Sequence, residues 1–346
     1  MIAVAGYPLL LAAIAAAAEI EVVADGPITP AHGAPIIAND AVQVALGALL
    51  EAQIDTASDG GFGLPRARLR TDALVDTAVP VGMRLELEAS PWADHDSNLD
   101  GPGVLRDAYL RIGVGNKKVI NLGEVTVGQQ LVPSSAAGLR PPERWRLAHR
   151  PLLEQRLLPG LDVGLLYHVD YGGYGWPLRL WIGSFGGAGP NRVDGELRPL
   201  FIARAEGDLP THSTSALRGR LGASFISQPS RPELPNLVTL DATLALPRLE
   251  FEAACALADG GQGWSRPRAA LRAEAGVELL TDFLELRLRH EALNLTTGQL
   301  QQRLTVGAVV TYLDDAFQLL VDYVLPWSTG GVPDEPGLAL TFRLWW

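Results

Sequence analysis

Residues 337–346 read GLALTFRLWW. Successive side chains of a strand point to opposite faces, so Leu338, Leu340, Phe342, Leu344 and Trp346 form one apolar row, while Ala339, Thr341 and Arg343 form the other. An apolar row for lipid, a more polar row for a lumen and an aromatic at the interface describe the closing strand of an outer-membrane β-barrel.

The same alternation extends backward through most of the chain. Phe317, Leu319, Val321, Tyr323 and Leu325 oppose Gln318 and Asp322, and Leu304, Val306, Ala308, Val310 and Tyr312 oppose Arg303, Thr305 and Thr311. Leu284, Leu286 and Leu288 oppose Glu285, Arg287 and Arg289. From Ala41 onward about sixteen segments have this strand character. Alternation alone fits a soluble sandwich as well, with its polar face outside. Connection lengths separate the two, because outer-membrane barrels have short turns at one end and long loops at the other. Tight links fall at 115–117, around Pro247, at 280–281 and at 314–315; long ones fall at 89–103, 129–160, 186–196, 227–235, 259–266, 292–298 and 326–336. The predicted fold is therefore all-β: a transmembrane antiparallel β-barrel of about 16 strands over 40–346, with a long third extracellular loop folded into the pore.

Composition agrees with that fold. The 346 residues are 47% hydrophobic, yet no stretch beyond the N-terminus supplies the roughly 20 apolar residues of a spanning helix. A net charge of −11 argues against a nucleic-acid partner. Lys117 and Lys118 are the only lysines, so nearly all positive charge is arginine, through genome composition or anion recognition. The one cysteine, Cys255, lies in an apolar row and has no internal disulfide partner. Residues 1–18 read as a signal peptide with an apolar core and an alanine run, although the positive n-region is missing; a misassigned start codon or a short apolar helix would explain them otherwise. Residues 19–39, with Pro27, Pro30 and Pro35, read as an irregular periplasmic lead-in. This places the protein in the outer membrane of a Gram-negative cell.

The 129–160 loop carries Arg140, Arg144, Arg146, Arg150 and Arg156 against Glu143 and Glu154. Loops this long are usually functional, and its Leu139, Trp145, Leu147, Leu152, Leu153, Leu157 and Leu158 need something to pack against. Guanidinium groups in a narrow passage attract anions, whereas the same groups paired with lumen carboxylates are structural. On the barrel wall Arg66, Arg68 and Arg70 are the arginines least balanced by nearby acids, and Arg111 also points inward. These nine arginines are the candidate pore and constriction residues.

The runs RARLRTDA, MRLELEAS, LRDAYLRIG and GEVTVGQQLVPSS, then ERWRLAHR with Arg156 ahead of GLDVGL, resemble the phosphate-selective porin O/P family of Gram-negative outer membranes. The resemblance covers residues 62–170 at motif level, with Asp107–Tyr109 and Val127–Gln129 as its best local matches, and the remainder as strand rhythm. It implies sixteen-stranded homotrimeric barrels whose third loop enters the pore, passing phosphate in some members and other small solutes in many. It also implies that the arginines of ERWRLAHR are constriction residues. This chain departs by having no lysine in that loop or on a pore-facing row, which leaves phosphate specificity open.

The expected function is a porin, not an enzyme: a water-filled channel for passive diffusion of small hydrophilic solutes, anions and phosphate-like solutes among them. The alternatives are an outer-membrane barrel enzyme acting on lipid and a plugged structural barrel. For the enzyme, His290 on the lipid-side row and His212 beside Ser213 are the histidines to weigh, and neither has an evident triad around it. No cofactor is expected apart from calcium, for which Asp96, Asn98 and Asp100 before Gly101 fit the start of a binding loop with Asp107 as last ligand; such clusters are also ordinary turn chemistry.

Overall fold

The computed structural model describes residues 34–38, 41–56, 61–77, 79–89, 104–116, 120–140, 145–171, 177–187, 189, 199–209, 217–228, 236–259, 267–295, 300–312, 316–329 and 336–345. They form β1 (Ala34–Ala38), β2 (Val42–Asp55), β3 (Gly61–Val75), β4 (Val81–Ala89), β5 (Val104–Asn116) and β6 (Ile120–Leu131). Two short helices follow, α1 (Ala136–Leu139) and α2 (Leu152–Arg156). Then come β7 (Leu161–Tyr171), β8 (Leu178–Phe185), β9 (Leu200–Asp208), β10 (Arg218–Ser227), β11 (Leu237–Leu246) and β12 (Leu249–Ala258). The last five are β13 (Pro267–Leu280), β14 (Leu284–Leu295), β15 (Leu300–Tyr312), β16 (Phe317–Thr329) and β17 (Gly337–Trp345).

Each strand from β2 to β17 pairs antiparallel with the next, and β17 pairs back with β2, from Ala339 opposite Asp55 to Trp345 opposite Leu49. The wall is thus a closed barrel of sixteen strands, which leaves no long open edge to satisfy in lipid. Within the segment read as an irregular lead-in, Ala34–Ala38 forms a strand on β2, with Ala34 opposite Leu46 and Ala38 opposite Gln43. It takes up the edge of β2 where β17 leaves off. Pro35 is tolerated because β1 pairs on one side, and the register shifts between Pro35 and Ile37. The remainder of the segment read as a signal peptide and lead-in lies outside the described residues.

The faces follow the alternation. Leu271, Leu286, Leu288, Val306, Leu338 and Phe342 are exposed on the outside, while Arg272, Arg287, Arg289, Thr305, Thr341 and Arg343 are buried inside. Cys255 lies on the outer row, half-buried between exposed Phe251 and Leu257. Connections alternate between the two ends for most of the chain, although 56–60 is short at the long-loop end and 172–177 is longer than that at the short-turn end, and two further links depart. The link 209–217 is long at the short-turn end, and 296–299 is short at the other because β14 and β15 extend further than the alternation suggested.

Candidate functional site

The 132–160 loop enters the barrel. Its neck is closed by a backbone bond from Val132 N to Gly160 O at 2.9 Å. Both of its helices are tied at their start: Ser135 caps α1 by accepting from Gly138 N at 2.8 Å and donates to Glu154 of α2 at 3.1 Å. Val132, Leu153 and Leu158 pack against Phe185, Leu200, Ile202, Ile226, Leu237 and Leu293, which face inward near the long-loop end. This is why the loop is rich in leucine: one stretch of the lumen wall is apolar and must be covered.

Contacts then follow the loop downward and back. The Ser224 and Thr239 hydroxyls donate to Ser134 O, each at 2.7 Å, and Arg140 pairs with Glu252 of β12. Residues 145 and 146 reach deepest: Arg343 donates to Trp145 O at 2.5 Å, and Arg146 lies 3.8 Å from Glu285, the second residue of β14. Returning, Ala148 N donates to Asp322 at 2.6 Å, and Arg289 and Arg303 donate to the carbonyls of His149 and Arg150 at 2.8 and 2.7 Å. Leu152 N donates to Glu291 at 2.5 Å, and Arg272 lies 3.5 Å from Glu154. Leu147 is seated against Gly307 of β15, where an added Cβ would strike it and the Asp322 carboxylate.

The loop therefore lies along β10–β17. There, lumen charges are joined in continuous networks: Arg287 with Glu250, Glu274 and Glu285, Arg289 with Glu274 and Glu291, and Arg303 with Glu291. Burial raises the Glu154 carboxyl above the usual carboxylate range, with Glu291 adding to the effect against Arg272. His149 lies between two carboxylates, with Nδ1 3.6 Å from Asp322 and Nε2 3.6 Å from Asp55. Burial opposes its charge, but the Asp322 and Asp55 carboxylates that face its two ring nitrogens outweigh that and raise its pKa above the ordinary imidazole value.

On β2–β5 the arrangement differs. Arg66, Arg68 and Arg70, expected to be the least balanced, each have a carboxylate. Arg68 binds Glu88 at 2.6 Å, Arg70 lies 3.1 Å from Asp72, and Arg66 is held loosely, 3.6 Å from Glu51 and 4.0 Å from Glu88. Arg68 sits directly across the β3–β4 ladder from Glu88 and Arg66 across the β2–β3 ladder from Glu51, so these partners are set by register, whereas Arg70 takes Asp72 two residues along its own strand. Arg106 adds a further cation on Glu86 and Glu88, and Arg111 lies 3.7 Å from Glu124.

Of the candidate constriction residues, the structure brings Arg140, Arg146 and Arg150 into the lumen with Arg66 and Arg68. Arg156 is exposed at the end of α2, and Arg144 lies outside the described residues, as do Asp96, Asn98, Asp100, His212 and Ser213. Asp107 is buried in β5, and among the described residues no group of three or more His, Cys, Asp or Glu side chains could hold a metal ion. His290 faces outward, 3.3 Å from Gln302 and stacked on Trp327. Sequence reasoning missed Trp145 and His149 as site residues; their position inside the loop was the only signal.

No protein-family model and no curated protein matches this sequence. Solved structures do. OmpT, an outer membrane protein of Vibrio cholerae, superposes with a TM-score of 0.63 as its loop L8 deletion mutant, at 10% identity over 89% of this chain and 100% of that one. Its in-vitro folded trimer form gives 0.59 at 11% identity, over 89% and 100%. The anion-selective porin from Comamonas acidovorans gives 0.57 at 15% identity, over 88% of this chain and 100% of that chain. The outer membrane channel DcaP of Acinetobacter baumannii gives 0.59 at 12% identity, over 89% and 99%. The fold is the porin-type outer-membrane barrel. Its apolar exterior and closed wall place the chain in an outer membrane.

Proposed function

We propose that this protein is a non-enzymatic outer-membrane porin that passes small hydrophilic solutes by diffusion and favours anions. The observation that carries this reading is the third loop: it descends through the lumen, presents Arg140, Arg146 and Arg150, and ends beside the arginine-bearing wall of β3. Around that point Arg66, Arg68, Arg106 and Arg343 share the carboxylates Glu51, Glu86 and Glu88, more cations than acids in the ion pairs among the described residues. Likeness in fold to an anion-selective porin points the same way. Phosphate-like solutes and membership in the phosphate-selective O/P family are the finer form of this proposal, and a homotrimer is its assembly, supported by the trimer form of OmpT.

A planar-bilayer recording under a KCl gradient tests it. Stepwise conductance is expected, with a reversal potential on the anion side that moves toward zero when Arg146 and Arg150 become Gln. A folded barrel that carries no current would instead support the plugged reading, which the buried packing of Val132, Leu153 and Leu158 on the lumen wall favours. Deleting the loop core would then restore current. For a lipid-acting enzyme, the neighbours of His290 are an amide and an indole, neither of which is a nucleophile.

A further inference from the structure

Trp145 lies deepest among the described residues of the loop, with Arg146, and is fixed there by two hydrogen bonds: its carbonyl accepts from Arg343 at 2.5 Å, and its Nε1 donates to Arg140 O at 3.2 Å. Two guanidiniums lie over its ring. Arg66 of β3 is 5.3 Å from the ring centroid, and Arg150, returning up the loop, is 5.7 Å from it. Both distances are within cation–π range, and the attraction grows where water is partly excluded.

Arg66 has little else to hold it. Its two carboxylate neighbours are committed elsewhere, Glu51 to Arg343 at 2.6 Å and Glu88 to Arg68 at 2.6 Å and Arg106 at 3.1 Å. Its own distances to them are 3.6 and 4.0 Å, and its Nη1 is buried with no hydrogen-bond partner among the described residues. A carboxylate would hold Arg66 and cancel its charge. An indole face holds it and leaves the charge in place.

We infer that Trp145 is a positioning residue for charge selectivity: its ring, which also lies under Arg150, holds Arg66 of the wall toward the passage and keeps it from closing onto Glu51 or Glu88, so that Arg66 meets small anions there. This rests on the channel reading. It predicts that a substitution removing no charge alters charge selectivity, because an unclasped Arg66 is free to swing onto Glu51 or Glu88 and be neutralised.

The test uses the full-length protein in planar bilayers under a KCl gradient, comparing wild type with Trp145→Ala, Trp145→Phe and Arg66→Gln. With Trp145→Ala the chloride-over-potassium permeability ratio should fall by at least about twofold, while conductance rises as the ring leaves the passage. Trp145→Phe, which keeps an aromatic face, should retain most of the wild-type ratio, and Arg66→Gln should lower it at least as far as Trp145→Ala. If Trp145→Ala widens the channel with an unchanged reversal potential, or if Phe behaves as Ala does, the clasp is wrong and the ring is a mere obstruction. Should Trp145→Ala fail to show the heat-modifiable gel band of a folded barrel, Arg66→Gln decides from the wall side: an unchanged ratio there overturns the proposal. A silent wild type breaks the channel reading itself. In that case the clasp survives only if Trp145→Ala opens a current that Trp145→Phe does not, and silence in every variant overturns both.

Discussion

The wall of β12–β15 and the wall of β2–β5 carry the same kinds of residue in the same alternation, yet they do different work. On β12–β15 the loop lies against the strands, and Arg272, Arg287, Arg289 and Arg303 are tied to Glu154, Glu250, Glu252, Glu274, Glu285 and Glu291 or to loop carbonyls. These charges hold the loop down. On β2–β5 arginines and acids are equal in number, and the loop covers little of this wall, reaching it through Trp145 over Arg66 and His149 beside Asp55. A charged row is therefore structural or functional according to what covers it, which alternation does not reveal.

The largest expected effect falls on the covered wall. Glu291→Ala would take from Arg303 its paired carboxylate and from the Leu152 amide its acceptor in a buried site, leaving Arg289 only the more distant Glu274, a change that typically costs about 3–5 kcal/mol. Glu88→Ala should cost clearly less, because Arg68 retains Glu86. Urea unfolding of the two variants measures the difference, and equal losses would erase the contrast between the walls. Next comes the seat of the loop: Gly307→Val would strike Leu147, and overpacking of this kind costs about 1–3 kcal/mol. Relief by a shift of the loop should appear as altered channel conductance with the barrel still folded.

A smaller effect separates the walls by selectivity. Arg66→Gln should move the reversal potential further toward cations than Arg287→Gln, whose positive charge is already met by Glu250, Glu274 and Glu285. The reverse ranking would mean that the passage runs along β12–β15. The smallest effect is that of pH on His149. Its pKa is raised in the folded state, so its charged contacts with Asp55 and Asp322 are fully present below the unfolded value of about 6.5 and are lost as pH rises through the folded value. Current fluctuations from loop movement should therefore increase on the alkaline side and become insensitive to pH in His149→Gln. Noise that grows instead toward acid would contradict this latch.

The strands were readable because period two is a local property: Leu338 and Arg343 fall on opposite faces whatever surrounds them. The loop was readable as long, arginine-rich and in need of an apolar partner, and Leu153 does find the inner faces of Ile202 and Leu293. The sharing of charge was not readable. The imbalance assigned to Arg66 and Arg68 comes from counting neighbours along the chain, whereas their acids lie on β2 and across the β3–β4 ladder; for Arg70 the acid is Asp72, two residues on in the same strand. The same holds for Arg140 and Arg146, whose partners Glu252 and Glu285 are fixed only by the path the loop takes. β1 escaped because Pro35 reads as a breaker unless the strand is known to have one partner.

The seam of the barrel has a consequence for how the chain matures. β2 is completed on one edge by β17 and, further along, by β1, so two strands far apart in sequence finish the same line of hydrogen bonds. The buried pair Arg343 and Glu51, at 2.6 Å, fastens that line across nearly the full length of the chain. Contacts so distant in sequence form late, and until they form the sheet has two bare edges that lipid cannot satisfy. Pairing of β17 with β2 is thus the step that removes the bare edges from contact with lipid.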